Sequence, residues 1–277
     1  MAERRAAPLL VASALALSSA EARAGDPIFL REGQHLKLQA VAPDTRWYML
    51  TPVAGDYQNQ LPCPKKGDCA VPLRYTWVEL PALRGQMEIE VSTVPELATP
   101  GTHRVRPSAV ELPPDALPED LWSAVELVVR TDDTYVGYAS ELIGVPFVLN
   151  PTLTPEGKHQ TDARLGADCV ALVIYGQRRL GRDVPYVAPS ALEPFTEPVV
   201  GPMMAGDVLH FGFQTAVLAE DRGTPGILDA PDLVLQTWHG LAEVKAFGEL
   251  AYKDSPVRIL RWKPVAAQVP TPAPTTP

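Results

Sequence analysis

A chain of 277 residues with a formal net charge of −9 can bury one large core or two smaller ones. Its acidity argues against nucleic acid, whose affinity for proteins comes mainly from neutralised phosphates, and against adhesion to an anionic lipid surface. Small ligands and wall-type polymers stay open, and no segment after the first two dozen residues is long and apolar enough to span a bilayer.

Arg4 and Arg5 precede an apolar run from Ala6 to Ala20, and Ala22-Arg23-Ala24 supplies the small-x-small pattern of a leader cleavage site. Residues 1–24 are therefore expected to be a signal peptide. The mature protein is expected to be periplasmic or extracellular, a monomer without a membrane span, and more acidic still, because the leader removes three arginines and two glutamates. Three cysteines in an exported chain leave at least one without an intramolecular partner. Cys63 and Cys69 bracket the turn-forming Pro-Lys-Lys-Gly-Asp and are expected to pair, so the thiol left over is Cys169.

From Asp26 to about Arg106, short alternating segments at 28–30, 35–41, 47–50, 75–80 and 87–91 predict strands punctuated by glycine, proline and aspartate. They form an expected β-rich domain over 25–115. Trp47, Tyr48, Tyr57, Tyr75 and Trp77 fit either a strand core or a ligand groove, and at strand spacing the core is the commoner fate. Proline and acidic residues from Pro107 to Asp120 suggest a linker. Leu121–Val129 reads as helix by spacing and as strand by its Val-Glu-Leu-Val-Val end.

A helix is predicted over 134–143, capped by Asp132 or Asp133 and closed by Gly144. A second opens at Asp168-Cys169 and ends at Gly181, its apolar residues marking a largely buried helix. There the thiol would feel the positive end of the helix dipole, which lowers a cysteine's pKa. Packing as a small buried hydrophobe is the other fate open to it. Segments at 207–211, 215–219, 233–238 and 257–262 predict an antiparallel sheet, so residues 116–263 are expected to form an α+β domain of helices packed on that sheet. Residues 264–277 form a proline-rich tail, expected to be extended.

Four stretches in this second domain resemble, in order, the NlpC-type cell-wall cysteine peptidases, a papain-like superfamily. Tyr138-Ala139-Ser140-Glu141-Leu142-Ile143-Gly144-Val145-Pro146-Phe147 is similar to the opening helix and its Gly-x-Pro-Tyr ending, with Phe147 for tyrosine. Asp168-Cys169-Val170-Ala171-Leu172-Val173 is similar to Asp-Cys-Ser-Gly-Leu-Val. Ala205-Gly206-Asp207-Val208-Leu209-His210-Phe211 is similar to Pro-Gly-Asp-Leu-Val-Phe-Phe, and Gln214-Thr215-Ala216-Val217-Leu218 falls where the family writes His-Val-Gly-Ile-Tyr.

The resemblance implies a papain-like fold for 116–263 and an exported thiol hydrolase cleaving an amide bond in peptidoglycan-type peptides. Cys169 would be the nucleophile, His239 the base and Gln214 or Gln236 polar support. The family's histidine position is read as Gln214, and an amide side chain cannot exchange a proton near neutral pH. The alternative is therefore a catalytically inactive binding module for wall peptide or glycan. Of five histidines, His159 and His210 are further candidate bases, while His35 and His103 fall in the β-rich domain. Asp168 could cap its helix or orient an oxyanion donor. No cofactor or metal is expected, because the histidines and cysteines lack close ligand spacing.

Overall fold

A computed structural model describes residues 26–40, 42–55, 57–58 and 73–264. The expected signal peptide, the Cys63–Cys69 bridge and nearly all of the proline-rich tail lie outside those residues. Among the described residues the chain is mixed α+β, mostly strands, with three α-helices, two six-stranded sheets and two two-stranded ones. In order it forms β1 (Ile28–Arg31), β2 (Lys37–Gln39), β3 (Arg46–Pro52), β4 (Tyr57–Gln58), β5 (Tyr75–Glu79), β6 (Glu88–Glu90), the single-turn α1 (Pro95–Ala98), β7 (Gly101–Ser108), β8 (Asp115–Ala116) and β9 (Val125–Arg130). There follow α2 (Tyr135–Ser140), β10 (Val148–Leu149), α3 (Cys169–Arg179), β11 (Thr196–Pro198), β12 (Val208–His210), β13 (Thr215–Glu220), β14 (Leu233–Gln236), β15 (Glu243–Ala246) and β16 (Arg258–Trp262).

The first sheet runs β1-β9-β7-β3-β5-β8, with β1 parallel to β9 and its other pairs antiparallel. Period-two alternation divides its aromatics between two faces. Trp47 joins Leu30, Leu97, Val105 and Leu127 in one core. Tyr48, Leu50, Tyr75 and Trp77 make a second core on the other face, where Leu50 stands opposite Trp77. Trp47, Tyr48, Tyr57, Tyr75 and Trp77 are all buried, so they form core and no groove.

Sheet membership does not change at residue 115. The stretch 107–120, read as a linker, holds the end of β7 and all of β8, and the ambiguous 121–129 divides, its start closing a 3-10 turn (Pro118–Trp122) and its end from Val125 entering β9. Residues 125–130 become strand because β1 and β7 flank them, which no local propensity encodes.

The second six-stranded sheet runs β11-β16-β12-β13-β14-β15, all antiparallel. Helices α2 and α3 cover one face, with Leu172, Ile174 and Tyr175 packed over Val208, Val217 and Leu235. Leu209, Phe211, Ala216, Val234 and Tyr252 fill the other. Thr134 rather than either aspartate caps α2, its hydroxyl accepting from the Gly137 amide at 3.2 Å while Asp132 accepts from the Thr134 amide at 2.8 Å. Gly176 lets the two helices close, since a Cβ there would meet the Tyr135 ring at 2.8 Å. That approach brings the Tyr135 hydroxyl within 2.9 Å of the Val173 carbonyl.

Two carboxylates join the halves, Glu141 fully buried and Glu126 partly so. Glu141, with no exposed surface, accepts from the Tyr175 hydroxyl and Arg179 Nε, each at 2.7 Å, and lies 3.6 Å from Arg130 Nη1 on β9. Glu126 on β9 takes Arg104 Nη2 at 2.8 Å and Arg164 Nη2 at 3.1 Å. Removing one member of such a network strands its partners in low dielectric. Glu141→Ala is accordingly expected to lower unfolding free energy by about 3 kcal/mol and Tyr175→Phe by about 1 kcal/mol, as read from urea midpoints at unchanged slope.

Candidate functional site

Cys169 opens α3 because Asp168 stops the preceding chain in an extended conformation and caps the helix, its Oδ1 accepting from the Ala171 amide at 2.8 Å. The Asp168 Oδ2 atom accepts from the Asn150 amide at 3.3 Å, tying the cap to the loop that walls the site. Asp168 thus acts as a cap.

The thiol lies at the base of a cleft of about 370 Å³ walled by Phe147, His159, Tyr186, Phe213, Gln214 and Trp238, among others. Asp168 and His159 bring charge or potential charge to that wall, and no lysine or arginine lines it among the described residues.

The electrostatics correct the expectation of a helix-activated thiolate. Burial, followed by the neighbouring Asp168 carboxylate, pushes the Cys169 thiol up, and contacts from Thr215 and the Val170 amide pull it down by less. Asp168 occupies first-turn donors that would otherwise stabilise a thiolate, and it adds a negative charge beside the sulfur. Burial also raises Asp168 itself, against the amides that bind it.

Thr215, the first residue of β13, lies against the thiol on the sheet face that α3 covers. Its hydroxyl is fully buried and has no hydrogen-bond partner of ordinary geometry, so it approaches the sulfur without a well-formed bond. Period two carries the α3 side of the sheet from Val217 back to Thr215, a signal already present in the sequence. Gln214 also borders the cleft, yet its Nε2 donates to the Thr237 carbonyl at 3.0 Å and to the Tyr252 hydroxyl at 3.4 Å. Tyr252, pushed up to about 12 chiefly by burial, donates in turn to Gln236 Oε1 at 3.2 Å, and Gln236 Nε2 reaches Glu243 at 2.9 Å. Gln214 and Gln236 therefore belong to one polar chain running from the cleft wall through the sheet.

The histidines are dispersed. His239 is exposed at the end of the strand-to-strand turn with φ of 50°, its ring 5.8 Å from Phe147 and 4.3 Å from Trp238, and it is not among the residues lining the cleft. His159 does line it, stacked on Tyr186 at 3.7 Å between centroids, with Nδ1 accepting from the Thr161 amide at 3.3 Å. Burial holds His159 below its ordinary value, partly offset by Asp162 and the Pro151 backbone. His210 turns away from Leu209 and Phe211 as alternation requires, which puts it on the α3 side opposite Thr215. There Nδ1 accepts from the Gly212 amide at 3.1 Å and Nε2 lies 3.3 Å from the Pro189 carbonyl. His103 in β7 bonds the Thr99 carbonyl and His35 contacts Ser92, both in the first half of the chain.

Compared with protein-family models, curated proteins and solved structures, the chain matches none. Among the described residues no group of three metal-binding side chains converges and no helix is long and apolar enough to cross a membrane.

Alkylation of Cys169 by iodoacetamide, corrected with a Cys169→Ala control, is expected to rise with pH and inflect above the ordinary cysteine value of about 8.5. Asp168→Asn keeps a capping oxygen but removes the adjacent charge, so its inflection should move to lower pH. A wild-type inflection near 7 would contradict this electrostatic account.

Proposed function

We propose that this exported chain is a binding protein with an NlpC-like arrangement, whose Cys169 cleft takes an uncharged, glycan-type ligand without cleaving it. One observation carries the reading. The hydroxyl against the thiol is that of Thr215, which cannot serve as a base near neutral pH, while burial and Asp168 together disfavour the thiolate.

The cleft's walls supply the ligand class. Phe147, Tyr186, Phe213 and Trp238 offer apolar ring faces, while Asn150, Gln214 and Asp168 add polar atoms. A wall peptide bearing free carboxylates would find no lysine or arginine in the described wall, whereas a neutral sugar needs none. The papain-like fold implied by the sequence resemblance belongs to this same proposal.

Hydrolysis of a peptidoglycan-type amide through Cys169 is the second reading, and a specific observation favours it. His159 shares the cleft with the thiol and is held toward its neutral, proton-accepting form. In that reading His159 or His239 would supply the base and Gln214 polar support.

Titrating neutral N-acetylglucosamine oligomers against intrinsic tryptophan fluorescence separates the two. The binding reading expects saturation, a loss of roughly fivefold in affinity for Phe213→Ala from the missing ring contact, little change for Cys169→Ala, and no cleaved product from wall fragments by mass spectrometry. Cleavage of those fragments that disappears in Cys169→Ala would establish the hydrolase instead.

A further inference from the structure

We propose that a second groove, separate from the Cys169 cleft, binds a small ligand through an oxyanion group, a phosphate or a carboxylate. This groove, of about 440 Å³, lies where β1, the turn around Lys158 and the C-terminal end of α3 meet, and Phe29, Lys158, Arg164, Tyr175, Arg178 and Arg179 line it. Asp162 is the acidic residue in its described lining.

The charge behind the groove does not cancel. Glu126 is shared by Arg104 and Arg164, Glu141 by Arg130 and Arg179, and Asp133 by Arg31 and Arg130, while Asp162 pairs with Arg178. Six arginines thus divide four carboxylates. Lys158 adds a further positive charge with no carboxylate partner among the described residues. In a chain whose formal net charge is −9, this local excess of cations runs against the overall balance.

Part of it answers the negative pole of α3, whose last turn carries Arg178 and Arg179. That role accounts for neither Lys158 nor the spare donors. Arg179 commits Nε and Nη2 to Glu141, leaving Nη1 without an acceptor among the described residues. The Phe29 ring lies 4.3 Å from the Arg179 guanidinium carbon and 5.3 Å from that of Arg164, which fixes both planes. Held guanidinium edges, an exposed ammonium and an open volume make a receptor for a compact anion.

The test titrates inorganic phosphate, pyrophosphate and citrate into the full chain by calorimetry at fixed ionic strength, with chloride as the control. At least one of the three should saturate where chloride does not, and which one responds distinguishes phosphate from carboxylate as the recognised group. Lys158→Glu should weaken that binding by at least about tenfold, while Lys158→Arg retains it to within about threefold. Residue 158 is exposed and its backbone carbonyl makes the local bond, accepting from the Thr154 amide at 2.7 Å, so the fold of both variants should be unchanged by circular dichroism. No saturation above chloride by any of the three anions, or equal affinity in folded Lys158→Glu, would overturn the proposal.

Discussion

The arrangement depends on the fully buried carboxylate of Glu141. It sits just after α2 and gathers the Tyr175 hydroxyl and Arg179 guanidinium from α3 with Arg130 from β9, so one charge ties α3 to the consecutive elements β9 and α2. A buried ion costs several kcal/mol to desolvate, and this one is compensated by several donors at once. The backbone does the same work beside it, with the Thr102 hydroxyl donating to the Glu141 carbonyl at 2.6 Å and the Thr102 amide to Ile143 at 3.0 Å. The first sheet and the helices over the second sheet are thereby held in one orientation, and the Cys169 cleft forms on that frame.

Within the cleft one residue has opposed consequences. Asp168 stabilises α3 by capping it, and the same carboxylate disfavours the thiolate one residue away. A helix N-terminus activates a cysteine when its amides are free for the sulfur. Here the cap binds them and burial removes the water that would otherwise stabilise the anion. A thiol at a helix start is a nucleophile only if the cap, the solvent and a neighbouring base permit it; in this chain burial and the cap act against ionisation, and the contacts from Thr215 and the Val170 amide offset them only in part.

The local features were legible because their causes are local. The cap at Asp168, the glycine stop at Gly181 and the strands around Trp47 and Val217 follow from residues within one turn or one pleat of each other. The linker expected across 107–120 was not, since β8 exists through its pairing with β5. Strands β11 and β15 are short segments whose partners β16 and β14 make them strands. Cys169, Gln214 and His159 were nameable as candidates from the sequence, whereas the facing role of Thr215 depended on the register of β13 beneath α3.

By itself the sequence determined the α+β character, the buried helix opening on Asp168-Cys169 and the antiparallel strands after it, because side-chain periodicity and capping are written within a few residues. Tertiary structure alone decided that Thr215 meets the thiol, that His159 rather than His239 enters the cleft wall, and that cations outnumber carboxylates beside Lys158. Those outcomes depend on strand register, on burial and on which distant charges come to share a neighbour. Each is a property of chain segments brought together by the closing of the core, and none is carried by any one segment alone.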